Sequence, residues 1–162
     1  FDTLRSMSVE LRQICFPDSL NGYCCGYGGI MKTTDKGLHW DFTSAKNDYY
    51  RAMSWTDALH GVAAGYGGSI IRTNDGGNSW QTIRDGNNFL LKKIHLLAIA
   101  CNHTHYCVAV GEGGITLLSD NDGSTWIELK SFTSTDLYGV SFRDEATCFL
   151  CGDGGHLFQL NL

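Results

Sequence analysis

Side chains that could take part in acid chemistry recur in this sequence at fixed distances from a Thr or Ser, a Gly and a Trp. Asp35, Asp75 and Asn121 each follow a hydroxyl residue by two positions and precede a Trp by five. A glycoside hydrolase needs paired carboxylates, but an Asp or Asn beside a Gly is typical of a turn whose side chain accepts turn amides. We therefore expect three structural turns, each with its Gly in the turn and its Trp buried beside it: Gly37 and Trp40, Gly77 and Trp80, Gly123 and Trp126.

Other groups with chemical potential do not combine into a site. The acids Glu112, Glu145 and Asp153 are ordinary loop residues, and His103 with His105 gives two metal ligands without a third. A sialidase needs an arginine cluster, but the six arginines do not share one repeat position facing the axis: Arg5, Arg12, Arg51, Arg72, Arg84 and Arg143. We predict no catalytic residue, no metal and no cofactor, and hence a protein that is not an enzyme.

A Gly-x-Gly-Gly motif sets the architecture. It begins at Gly26, Gly65, Gly111 and Gly152, with spacings of 39, 46 and 41 residues. Periods of this length are typical of propellers, solenoids or arrays. Each repeat predicts four short strands, named A to D, of which strand A precedes the motif and strand D begins at the Trp. The sequence therefore predicts an all-β fold, a β-propeller of four-stranded antiparallel blades with four blades in this chain.

The fourth repeat stops after strand C, and a spare strand D stands at the start of the chain. Residues 1–5 align with Trp126–Lys130, so we expect Phe1–Arg5 to complete the last blade. Residues 1–162 then form a single propeller domain. Two closures fit: a small ring of four blades, or a larger ring completed by further chain or by a second copy.

With the repeats aligned, the chain resembles the Asp-box (BNR) β-propellers, and most of all the YCF48-like family of photosystem II assembly and stability factors. The family pattern is matched closely over Trp55–Trp80. The resemblance implies a non-enzymatic scaffold that binds a protein partner, a membrane-protein complex, in the thylakoid lumen or another organelle lumen. Asp boxes also occur in sialidases, so a secreted glycan-binding or inactive sialidase-like propeller is the alternative.

Binding residues are expected on one face of the propeller, because the B–C and D–A turns share it and loops on a rigid scaffold tend to bind ligands. The variable positions of the B–C turns are Tyr27, Tyr66, Glu112 and Asp153, and those of the D–A loops are Tyr49, Arg51, Phe89 and Lys92. The net charge of −5, with scattered Lys and Arg, argues against nucleic acid as a partner. No apolar run is long enough for a membrane-spanning helix.

Cys101 and Cys107 replace residues that are aromatic or Gly in most other repeats, and they flank the A–B turn of the third repeat. Antiparallel pairing of strands A and B would bring them within bonding distance. We predict a disulfide between them, which implies an oxidising, extracytoplasmic compartment.

Overall fold

The computed structural model describes residues 9–86 and 94–162. These residues form four antiparallel sheets, which are the blades. The first blade contains β1 (Leu11–Cys15), β2 (Gly22–Gly26), β3 (Gly29–Thr33) and β4 (Asp41–Phe42). The second contains β5 (Tyr50–Trp55), β6 (Gly61–Gly65), β7 (Ile70–Thr73) and β8 (Gln81–Arg84). The third contains β9 (Leu96–Cys101), β10 (Cys107–Gly111), β11 (Thr116–Ser119) and β12 (Ile127–Glu128). The fourth contains β13 (Leu137–Phe142), β14 (Thr147–Gly152) and β15 (Leu157–Asn161).

This architecture confirms the predicted all-β propeller with four blades in the chain. Between the strands, the only helical geometry in the described ranges is a single 3-10 turn in each of the last three blades, at Tyr66–Gly68, Glu112–Gly114 and Asp153–Gly155. These turns are the last three residues of the Gly-x-Gly-Gly motif. The expected closing strand, Phe1–Arg5, lies outside the described residues.

The core lies between the blades, because alternate side chains of each strand point to opposite neighbours. Val62 and Ala64 of the second blade pack against Ala109 and Leu117 of the third in one buried cluster. A second cluster joins the first two blades, and a third joins the last two. Strand B is therefore apolar on both faces, and in β2, β6 and β10 every residue is buried.

The innermost strands follow one another in a row. Extensive contacts join β1 to β5, β5 to β9 and β9 to β13, whereas no contact of similar extent joins β13 to β1. In a ring of four blades all four junctions would be alike. Of the two closures considered from the sequence, this geometry favours the larger ring.

The predicted disulfide is present. Cys101 and Cys107 lie directly opposite each other on β9 and β10, with Cα atoms 4.0 Å apart. The turn that they close contacts both neighbouring blades. The Asn102 amide nitrogen donates to the Glu145 carbonyl at 2.9 Å, and His103 Nδ1 lies 2.8 Å from the Thr56 carbonyl. The hairpin of the third blade therefore ties the second, third and fourth blades together.

The three Asp and Asn residues have the local structure expected of turn residues. In the second blade, Asp75 accepts the Thr73 hydroxyl at 2.8 Å and the Ser79 amide at 2.9 Å, while the Gly77 amide donates to the Thr73 hydroxyl. Asp35 and Asn121 make the equivalent bonds, so an amide serves as well as a carboxylate. Trp40, Trp80 and Trp126 are largely covered, as expected, and Trp80 and Trp126 pack against the buried clusters.

Candidate functional site: the rim of the propeller channel

Two sets of equivalent residues meet on the face where strand B turns into strand C. The second residues of the Gly-x-Gly-Gly turns form the first set: Tyr27, Tyr66, Glu112 and Asp153. The residues directly before the innermost strands form the second set: Glu10, Tyr49, His95 and Asp136. In every blade the backbone N–H of the first set donates to the carbonyl of the second, over 2.9–3.1 Å. We call these eight residues the rim row.

Further bonds connect the rim row from blade to blade. The Gly28 amide of the first blade donates to the Asp48 carbonyl of the next loop at 3.0 Å. The Gly67 amide donates to His95 Nδ1 at 2.9 Å, and the Gly113 amide donates to Asp136 Oδ1 at 2.8 Å. The row is therefore one continuous band across all four blades.

The first residue of each motif must be Gly, because the carbonyl oxygen of a rim residue occupies the place where a Cβ would lie. A Cβ on Gly65 would lie 2.0 Å from the Tyr49 carbonyl oxygen, and a Cβ on Gly111 would lie 2.0 Å from that of His95. Real Cβ atoms do not approach an oxygen so closely. Any side chain at these positions would push the rim residue away and break the bond that holds it.

The rim row is aromatic over the first three blades. Ring centroids are separated by 5.9 Å from Tyr27 to Tyr49, by 4.4 Å from Tyr49 to Tyr66, and by 4.1 Å from Tyr66 to His95. The Tyr27 side chain is the most open, with the residue 62% exposed. Tyr49, Tyr66 and His95 are half-buried. A connected row of rings that reaches the surface gives a partner a rigid and partly polar contact area.

A guanidinium already occupies one end of this aromatic row. Arg12 lies 5.6 Å from the centroid of the Tyr49 ring, is bonded to the Tyr49 hydroxyl, and forms an ion pair with Glu10 at 2.6 Å. The Tyr49 hydroxyl in turn donates to Glu10 at 2.8 Å. The bond to Tyr49 and the charge of Glu10 raise the pKa of Arg12, so it stays charged.

Arg12 belongs to a third repeated position, at the channel itself. Each innermost strand carries a bulge whose extra residue is Arg12, Arg51, Leu97 or Tyr138. Such bulges redirect a side chain. The hydrogen bond with the Asp153 carboxylate, together with the charges of Asp153 and Asp136, raises the pKa of Tyr138, and the charge of Arg51 opposes this. The acids of the fourth blade and Arg51 of the second therefore act on the Tyr138 hydroxyl with opposite sign.

Of the residues predicted to bind a partner, six lie together here: Tyr27, Tyr49, Arg51, Tyr66, Glu112 and Asp153. The other two, Phe89 and Lys92, lie outside the described residues. The sequence interpretation missed Glu10, His95 and Asp136. They could have been found from the repeat register, because each occupies the position of Tyr49, directly before an innermost strand.

The remaining chemical candidates are used structurally. His103 contacts the Thr56 carbonyl and His105 pairs with Asp122 at 2.8 Å, on the face opposite the rim. Within the described ranges, no group of three or more His, Cys, Asp or Glu side chains could hold a metal ion. Those ranges also contain no helix long and apolar enough to cross a bilayer.

Comparison with known proteins defines the class by fold. No family model matches the chain, and no curated protein matches it in sequence. Among solved structures, it is similar to YCF48 bound to a D1 peptide, with 16% identity, a TM-score of 0.61, and coverage of 94% of this chain and 65% of that one. YCF48 from Cyanidioschyzon merolae matches with 17% identity, a TM-score of 0.72, and coverage of 93% and 50%.

An enzyme shares the same fold. The GH74 xyloglucanase from Xanthomonas campestris matches with 12% identity and a TM-score of 0.76, over 94% of this chain and 28% of that one. At these identities the similarity concerns the fold, and the chain is a β-propeller. It spans between half and two thirds of the two YCF48 chains.

Proposed function

We propose that this chain is a non-catalytic propeller of the YCF48-like kind that binds a segment of a protein partner through the rim row. The observation that carries the proposal is the rim itself: equivalent residues of all four blades, joined by backbone bonds, present one continuous band of contacting rings in which Tyr27 is exposed and Tyr49 and Tyr66 are half-buried. The partner is a membrane-protein complex by resemblance to that family, and the solved YCF48 structure with a D1 peptide supports a peptide ligand.

The carboxylates support a binding role over hydrolysis. A glycosidase general acid needs a carboxyl group whose pKa is raised. Among the described residues, the carboxyl pKa values that depart from their ordinary range are lowered by hydrogen bonds, most clearly at Asp35 and Asp75. Groups of this kind stay ionised and serve as acceptors in turns.

A glycan is the second candidate ligand, because sugars also stack on tyrosine rings and a xyloglucanase shares the fold. The Cys101–Cys107 disulfide supports an oxidising compartment for either ligand, a lumen or the cell exterior. A rim that binds a protein segment should select peptides from a library, whereas a rim that binds glycans should select none.

The test selects dodecapeptides from a display library on the immobilised chain and screens a glycan array in parallel. We expect peptides whose binding is lost in Tyr66→Ala, because this ring stands between Tyr49 and His95. The matched control is Leu38→Ala, which removes a side chain that is 69% exposed on the opposite face. Glycan hits that depend on Tyr66, with no peptide enriched, would replace this proposal by the second candidate.

A further inference from the structure

The rim row changes character along its length. Its positions on the first three blades are mainly aromatic, whereas it ends in three carboxylates on the last two blades, Glu112, Asp136 and Asp153. A fourth carboxylate, Glu10, stands at the aromatic end and is exposed. Among the described residues the row itself contains no Lys or Arg. The face that would meet a partner is therefore aromatic at one end and negative at the other.

The neighbouring cations do not reverse this charge. Arg12 is engaged by Glu10 and Tyr49 at the aromatic end. Arg51 is the one Arg or Lys at the bulge positions of the last three blades, and it stands against the three carboxylates of Glu112, Asp136 and Asp153. Unlike charges on the two sides of an interface favour association, and like charges oppose it.

Arg12 also shows which chemical group this surface accommodates. Its guanidinium lies over the Tyr49 ring, bonds the hydroxyl of the same ring and pairs with the adjacent carboxylate. A ring face with a carboxylate beside it is a favourable environment for a cation. The rim continues with the same two components, the rings of Tyr66 and His95 followed by Glu112.

We propose that the rim row binds an extended basic peptide segment, whose Arg or Lys side chains lie over the open Tyr27 ring, along the edges of the stacked rings and against the carboxylates of the last two blades. This inference rests on the proposed function and names the chemistry of its partner. An extended chain rises about 3.3 Å per residue. The ring steps from Tyr27 to His95, 5.9, 4.4 and 4.1 Å, therefore match about four residues of such a segment.

The experiment measures binding of three labelled probes to the whole chain by fluorescence anisotropy. They are a blocked octapeptide of alternating arginine and glycine, its counterpart of alternating glutamate and glycine, and a xyloglucan heptasaccharide. We expect the arginine peptide to bind most tightly, with an affinity that falls as salt is raised because exposed charges are screened.

Two double variants with the same change in net charge locate the site. Glu112→Gln with Asp153→Asn neutralises the acidic end of the rim, and we expect it to weaken binding of the arginine peptide about tenfold. Glu128→Gln with Asp120→Asn neutralises two exposed acids away from the rim, and we expect less than a twofold change. Equal unfolding midpoints of the two variants show that the fold is kept.

The remaining outcomes separate this inference from the proposed function. If the glutamate peptide binds more tightly, and Tyr66→Ala abolishes its binding, the rim binds peptides but the basic partner is wrong. If only the heptasaccharide binds, both proposals fail. If both double variants weaken the arginine peptide equally, its binding reflects net charge and the rim assignment is overturned. Absence of binding by all three probes also overturns the inference.

Discussion

Reduction of the Cys101–Cys107 disulfide should loosen the whole row of blades, because the hairpin that it closes contacts both neighbours. The turn bonds run from Asn102 to the Glu145 carbonyl and from His103 to the Thr56 carbonyl. The bond itself is largely shielded, with Cys107 fully buried. We therefore expect a loss of global stability and not only a local change.

The size of the effect follows from the loop that the bond closes. The two cysteines are separated by 6 residues. The chain-entropy relation gives about 2 kcal/mol for closing so short a loop in the unfolded chain. For a chain of this length, about 2 kcal/mol lowers the thermal midpoint by about 4–8 °C.

The assay compares thermal unfolding of the oxidised chain with that of a chain unfolded and refolded in a phosphine reductant, with thiols counted in both. Reduced wild type isolates the crosslink, and Cys101→Ala with Cys107→Ala adds the loss of packing and should not respond to reductant. The matched control is Cys148→Ala. Cys148 is a free, buried cysteine at the position of Cys107 in the next blade, so this variant should be less stable but keep the full response.

A wild-type midpoint that is unchanged by complete reduction would refute the reasoning. So would a Cys148→Ala variant that loses the response, because the stabilisation would then belong to buried sulfur and not to the crosslink.

Three further perturbations have defined outcomes. Asp75→Asn should match wild type at neutral pH but lose less stability than wild type between about pH 4 and pH 2, measured as urea midpoints. The reason is that the turn bonds lower the pKa of Asp75 to about 2. A carboxylate with a lowered pKa stabilises the fold above its unfolded pKa, and this contribution is lost as the pH falls through its folded pKa. Gly65→Ala should lower the free energy of unfolding by about 3 kcal/mol or more, measured with denaturant, because the new Cβ lies 2.0 Å from the Tyr49 carbonyl oxygen. Gly113→Ala has open space around the new Cβ and a φ of +62°, and it should lower the free energy of unfolding by only about 1 kcal/mol. Asn102→Ala should cost about 2 kcal/mol in the same assay because the four hydrogen bonds of its side chain are lost, and Asn102→Asp, which keeps the acceptor, should cost less.

Each of these has an opposing result. An acid profile of Asp75→Asn identical to that of wild type would show that this carboxylate does not contribute to acid unfolding. Equal costs for Gly65→Ala and Gly113→Ala would show that the close approach to the rim is not what requires Gly. A neutral Asn102→Ala would remove the turn of the third blade from the contacts that join the blades.

The strands could be predicted from the sequence because their signals are local and repeated. An apolar run that ends at a turn and is followed by Gly-x-Gly-Gly at a constant distance predicts strand A, and the structure has a strand there in all four blades. The disulfide was predictable for a similar reason, because residues that flank a hairpin turn lie opposite each other once the strands pair.

Three of the eight rim residues, Glu10, His95 and Asp136, were not predicted, because they differ in type from Tyr49. The repeat register places them at its position, but their role depends on tertiary structure. What they share is a carbonyl group that packs on a Gly of the next strand.

One main-chain hydrogen bond in each blade joins the two rim positions, and this partly separates recognition from folding in this protein. Since Tyr, His, Glu and Asp all occupy equivalent rim positions on this bond, the bond does not depend on residue type. The side chains of His95, Glu112 and Asp136 also accept backbone amides and so contribute to the fold. A lineage could therefore exchange the other rim side chains one by one and acquire a new partner while keeping the same scaffold, and for engineering these other positions form the library site.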